Sequence, residues 1–232
     1  MVRYALYAAP ERDTRLWHFG NRVLGRDAET GEAVAQIVPE GFAPQDWAGF
    51  TASPRRYGFH ATLKAPFALA EGRAEEELFA AVRAFAARRS PVEDIVLVPG
   101  LSGRFVFLSP PFADPRLLEL ANACVADFDR FRAPLAAADR TARIASGLSE
   151  RQIVHLDRWG YPYVFAEFMF HLPLAGPLPD EVKDVALAGL AEGFEQGVRG
   201  ERLDLRSLCV FAQSAPGEAF RLVLRAPFGG GA

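Results

Sequence analysis

The sequence predicts an α+β fold, one bilobal domain spanning residues 1–232 and built from a duplicated unit whose two lobes are related by an approximate two-fold axis. Two observations predict the class. Short stretches that alternate apolar and polar residues, as at residues 3–9 and 205–212, are interspersed with amphipathic stretches of helical spacing. The order histidine strand, amphipathic helix, hairpin running into Pro-Phe also occurs twice, over about residues 57–112 and 163–228. Nineteen phenylalanines favour well-filled sheet cores.

The elements follow in order. Residues 3–9 read as a strand stopped by Pro10, and 11–24 as a helix carrying Leu16, Phe19 and Val23 on one side and closed by Gly25. His18 in this helix reads as a surface or packing residue. Gly31, Pro39, Gly41 and Pro44 make 26–54 irregular apart from a short helix about 45–50, after which the first histidine strand begins. Residues 74–89 form a helix with Leu78, Val82 and Phe85 on one stripe, glutamates in its first turn and arginines in its last, as the helix dipole favours. Residues 92–98 and 104–108 read as strands around a turn at 99–103. A long helix at 114–132 leads to a connector at 134–147 containing Arg140 and Arg143. Ser149 starts a helix that carries His155 and ends at Gly160. The second histidine strand, a helix at 179–200, strands at 205–212 and 219–224 and a disordered Gly-rich tail complete the chain.

Composition removes several function classes. The net charge is −3 with no long basic run, so nothing points to a general nucleic-acid binder, although Arg55–Arg56 is a candidate for a local anion contact. Cys124 and Cys209 lie in apolar surroundings and read as buried thiols. No run of 18 apolar residues and no signal-peptide pattern occurs, so the expectation is a cytoplasmic protein with no membrane partner.

Chemistry concentrates in two stretches. In YGFHATLKAPF (57–67), alternation places His60, Thr62 and Lys64 on one face of a strand, where an imidazole, a hydroxyl and an ammonium form an anion-handling surface. A half-buried strand with a polar outer face gives the same pattern without any site. In YVFAEFMFHLPL (163–174), Glu167, Met169, His171 and Pro173 share a face, and the aromatic residues take the other. Two of the four histidines therefore fall in matching contexts, one per repeat, and a cleft between lobes would face them across it. Two imidazoles on opposite sides of one phosphorus can take a proton from the attacking oxygen and give one to the leaving oxygen without a metal. Metal ligation competes for two histidines, but no further His, Cys or Asp cluster has ligand spacing, and no cofactor is expected. Glu167 either orients an imidazole or is a solvated strand residue.

HATLKAPF, with a second histidine element late in the chain, resembles the two-histidine (2H) phosphoesterase superfamily, which includes RNA 2′,5′-ligase-like proteins and cyclic phosphodiesterases. RYALYAAP, PRRYGFHATLKAPF and YVFAEFMFHLPL are similar to a branch associated with phosphonate metabolism, and the resemblance covers about residues 3–226. It implies antiparallel sheets lining a central cleft with helices outside, and metal-independent hydrolysis of a cyclic phosphate or small phosphodiester. His60 and His171 would be acid and base, with Thr62 a phosphate ligand. The partner would be a small phosphorylated substrate, with RNA ends the runner-up. One position departs from the pattern: Pro173 stands where the second motif has Thr or Ser and offers neither hydroxyl nor N–H. Lys64, Arg56 and Tyr57 are the candidates to compensate. A non-catalytic phosphoryl-ligand binder is the second reading that Pro173 allows.

Overall fold

The computed structural model of the chain describes residues 1–230. Its elements are β1 (Arg3–Ala8), α1 (Arg15–Leu24), α2 (Pro44–Phe50), α3 (Ala52–Tyr57), β2 (Ala61–Phe67), α4 (Glu75–Ala87), β3 (Val92–Ile95), β4 (Val98–Ser102) and β5 (Phe105–Ser109). They continue with α5 (Pro115–Asp127), α6 (Ala137–Ile144), α7 (Glu150–Trp159), β6 (Leu172–Ala175), α8 (Lys183–Val198), β7 (Leu203–Leu205), β8 (Ser207–Gln213) and β9 (Arg221–Pro227). Local chemistry sets many of the boundaries. Thr14 caps α1 by accepting from the Trp17 N–H, and Gly25 ends it at φ 73°. Ser149 and Gln152 form a capping box at α7, and Gly160 ends that helix at φ 74°.

Every strand pairing is antiparallel, in three sheets ordered β2-β1-β8-β9, β6-β5-β4 and β3-β7. These orders repeat when the chain is divided at β1 and β5. In the first unit β2 borders β1, and β1 borders β8, the closing strand of the second unit. In the second, β6 borders β5, and β5 borders β4, the closing strand of the first. The β3–β7 ribbon joins equivalent strands, and β9 is an added edge. The division at 57–112 and 163–228 makes β5 and β9 equivalents instead, yet β5 lies beside β6 whereas β9 lies farthest from β2. Helices pack on these sheets, with α5 against β2, α4 against β9 and α8 against β4 and β5.

β1 is central and buried on both faces. Tyr4, Leu6 and Ala8 enter the main core, and Ala5, Tyr7 and Ala9 enter a second cluster with Trp17, Phe211 and Phe220. Each such fully buried large apolar side chain contributes about 1.5–3 kcal/mol. Both cysteines are buried and unpaired.

The structure corrects several boundaries. Residues 99–102 are strand, not turn: Pro99 and Gly100 lie in β4, an edge strand where a missing N–H is tolerated, and the reversal sits at Gly103, φ 56°. Residues 163–171 are not extended throughout. Phe165 takes φ 55°, Phe165–Glu167 coil into a 3₁₀ turn, and β6 begins only after His171. Likewise Tyr57 ends α3 and β2 begins after His60. Residues 134–147 contain α6. Gly229 is anchored, its N–H donating to the Ala86 carbonyl (3.2 Å); residues 231 and 232 of the tail lie outside the described residues.

Candidate active site

The two histidines occupy matching positions, each immediately before the first residue of a strand that ends its sheet. Nδ1 of His60 donates to the Gly58 carbonyl (2.8 Å), and Nδ1 of His171 to the Met169 carbonyl (2.9 Å). A carbonyl only accepts, so both neutral rings carry their proton on Nδ1 and leave Nε2 as the basic nitrogen. The flanking strand supplies an aromatic ring to each. Tyr7 of β1 stacks on His60 with centroids 3.6 Å apart, and Phe107 of β5 meets His171 edge-on at 5.7 Å. Tyr7 is also the register partner of Thr62, and Phe107 of Pro173. Histidine, carbonyl two residues back, residue two ahead and cross-strand aromatic thus recur as a set in each half.

Gly58 makes the first set possible. Its φ of 80° and ψ of 174° suit glycine, and a Cβ there would lie 2.6 Å from that of Ala28. Nε2 of His60 accepts from the Thr62 hydroxyl (3.2 Å). Thr62, Phe107, Tyr161, Tyr163, His171 and Pro173 line one cavity of about 550 Å³. His60 connects to it through Thr62 and is itself only 5% exposed. That burial pushes the His60 imidazole down to about 3, the Gly58 bond opposes, and the charge of His171 adds to the lowering. The cavity wall also carries Asn122, whose Oδ1 is buried without a partner among the described residues.

The other residues singled out in the sequence divide. Thr62 lines the cavity. Lys64 does not share the His60 face. Between Thr62 and Lys64 the β1–β2 register shifts, so two steps along β2 oppose the single step from Tyr7 to Leu6. Alternation breaks there, and Lys64 is buried, donating to the Val125 carbonyl (3.1 Å) and pairing with Asp129 (3.5 Å). Burial holds its ammonium down to about 8 against the pull of Asp129. Glu167 lines the cavity from the 3₁₀ turn rather than from a strand shared with His171. Gln152 and Arg151 bond its carboxylate and hold it below the usual carboxylate range. Tyr57 stacks on Phe220 at 5.3 Å, with its ring 6.4 Å from His60. Arg56 is exposed, with its guanidinium 5.9 Å from the Tyr57 ring. Among the other histidines, His18 is exposed on α1 and His155 packs 5.8 Å from Phe165.

Sequence reasoning passed over Tyr7, Phe107, Tyr161 and Tyr163. Tyr7 reads as an ordinary strand aromatic, and only the β1–β2 register connects it to His60. The Tyr-Pro-Tyr run after Gly160 was the visible signal for the other two tyrosines. Among the described residues, no group of three or more His, Cys, Asp or Glu is arranged to hold a metal ion, and no helix is long and apolar enough to cross a membrane.

A family profile described as a protein of unknown function, DUF1045, matches residues 62–221. Two curated relatives, from Laribacter hongkongensis and a Janthinobacterium species, are both named ribose 1,5-bisphosphate phosphokinase PhnN. They are 37% and 38% identical over 95% and 99% of this chain, which spans about half of each relative's length (50% and 51%). Among solved structures, one titled as a phosphoesterase is similar with a TM-score of 0.41 and 14% identity over 97% of both chains. E. coli LigT complexed with 3′-AMP is similar with a TM-score of 0.42 and 13% identity over 98% of both. Likenesses of that size are too distant to transfer an activity.

Proposed function

We propose, for a chain that belongs to the DUF1045 family of proteins of unknown function, metal-independent hydrolysis of a cyclic phosphate or small phosphodiester. The observation that carries this reading is the repeated set around the two imidazoles. Each Nδ1 is tied to a backbone carbonyl, leaving each Nε2 for chemistry. The 2H resemblance of the sequence points the same way.

In this reading His60 is the base. Buried and neutral, it accepts a proton at Nε2 from water as the water oxygen bonds to phosphorus. His171, at the cavity wall, enters protonated and gives its proton to the ester oxygen as the P–O bond breaks. The products are a phosphomonoester and a free hydroxyl, and proton exchange with solvent resets both rings. A base held down to about 3 is weak, but a phosphate anion beside it raises its proton affinity, so the substrate itself activates the ring. Thr62, freed from Nε2, donates to a nonbridging oxygen. The relatives' names, which concern a phosphorylated ribose, favour a small cyclic ribosyl phosphate, in keeping with a place in phosphonate metabolism, over RNA ends.

The test is turnover of ribose 1,2-cyclic phosphate and nucleoside 2′,3′-cyclic phosphates in the presence of a chelator. Wild type turns over one or more of them, and His60→Ala and His171→Ala each lose about 10²–10⁴-fold in kcat. Pro173 favours a second reading, a protein that binds a phosphoryl ligand without cleaving it. Binding with no turnover of any member would select that one.

A further inference from the structure

The two halves repeat the same set around each histidine but differ two residues after it: where the first offers the Thr62 hydroxyl, the second offers Pro173. A phosphoryl group between the histidines therefore has a side-chain donor on one side and none at the equivalent point on the other. What does stand on the cavity wall is Tyr161. Gly160, in the left-handed region, ends α7 and releases the chain toward the cavity. A Cβ at Gly160 would lie 3.0 Å from the Arg132 side chain. Among the described residues, the Tyr161 hydroxyl has no hydrogen-bond partner. Burial pushes it up to about 12 while the Arg143 charge opposes, so at neutral pH it is an intact O–H donor.

Arg143 lies in the last turn of α6 with its guanidinium 5.4 Å from the Tyr161 ring centroid. The neighbouring arginines of α6 and α7 are spoken for: Arg140 pairs with Asp157, Arg151 with Glu167, and Arg158 with Asp129. Among the described residues, Arg143 has no carboxylate partner. A cation with no carboxylate partner stands against the ring of a phenol that lines the cavity with His171, and a cation beside an O–H donor is the combination that recognises an anion.

We propose that Tyr161 and Arg143 form a second phosphoryl-binding arm that replaces the hydroxyl missing at Pro173. This rests on the phosphoesterase reading above. Tyr161 donates to a nonbridging oxygen, and Arg143 supplies the positive charge that lets the dianionic transition state form.

The experiment compares Tyr161→Phe, Arg143→Met and Arg143→Lys, and Tyr161→Phe with and without Pro173→Thr. The readouts are hydrolysis of a nucleoside 2′,3′-cyclic phosphate, inhibition by inorganic phosphate and thermal unfolding. Loss of the phenol donor should lower kcat by about 10²-fold, with the unfolding temperature unchanged. Adding Pro173→Thr should recover about tenfold or more of that, because a hydroxyl then returns to the vacated position. Arg143→Met should weaken phosphate binding by about tenfold and Arg143→Lys by less. Wild-type kinetics in Tyr161→Phe, or a loss that Pro173→Thr leaves unrelieved, would overturn the proposal while leaving the phosphoesterase reading standing. An inactive wild type would instead sink that reading. Inorganic phosphate titrated calorimetrically into wild type and Arg143→Met then decides the arm: weaker binding by the variant retains it, and equal or absent binding removes it.

Discussion

His60 and His171 share a tautomer but not an environment. One ring is enclosed between Tyr7, Gly58 and Thr62; the other forms part of a cavity wall. The consequence is a pH profile with a displaced acid limb. A group lowered to about 3 stays neutral on falling from pH 7 to pH 5, so kcat/KM, which reports the free enzyme, should hold across that range. A loss centred near 6.5 would mean that His60 titrates as a solvated imidazole does. Lys64 makes the opposite point. Its ammonium looks like substrate chemistry in the sequence, but it serves the Val125 carbonyl and Asp129, and Asp129 retains Arg132 and Arg158 without it. Lys64→Met should therefore leave turnover per folded molecule unchanged. It should lower stability in urea unfolding by about 1–3 kcal/mol, because a buried carbonyl loses its donor.

At the scale of elements, the site depends on how α1 approaches β2. A Cβ on Gly20 would come within 2.2 Å of the Phe59 ring, and Phe59 precedes His60. Gly20→Ala should destabilise the protein by about 1–3 kcal/mol through overpacking and reduce turnover by displacing His60; melting and kinetics on the same preparation check both. Gly20 and Phe59 carry no functional signature in the sequence, because their contact is long-range. What was legible there is what depends on local pattern. The amphipathic stripe of α4, the start of α7 at Ser149 and the matching sequence contexts of His60 and His171 could be read directly. So could His60 beside Thr62, since two residues of alternation suffice. Lys64 could not be placed, because a single bulge reverses every face beyond it. Glu167 could not either: an aromatic-rich alternating run reads as strand, whereas Phe165 turns left-handed and coils the segment. Tyr161 and Arg143 meet only when α6 and α7 pack, and packing between helices leaves no period in the chain.

Over the whole molecule, the strand orders interlock the two units. Each unit lends its closing strand to the other's sheet, so β4 flanks β5 and β8 flanks β1, and the β3–β7 ribbon ties the units again. Neither half completes its sheet alone. A chain truncated after β4 should accordingly fail to fold cooperatively, and far-ultraviolet circular dichroism through a urea titration would report this as a missing transition.

In this arrangement His60 and His171 each precede a strand of opposite units. In the proposed reaction, one Nε2 deprotonates the incoming water as the other protonates the departing oxygen, so entry and exit lie on opposite sides of phosphorus. No side chain need bond to phosphorus in between. A cyclic phosphorothioate of known handedness, opened in isotopically labelled water, should then yield a product of inverted configuration. Retention would mean that an enzyme-bound phosphoryl intermediate had formed first.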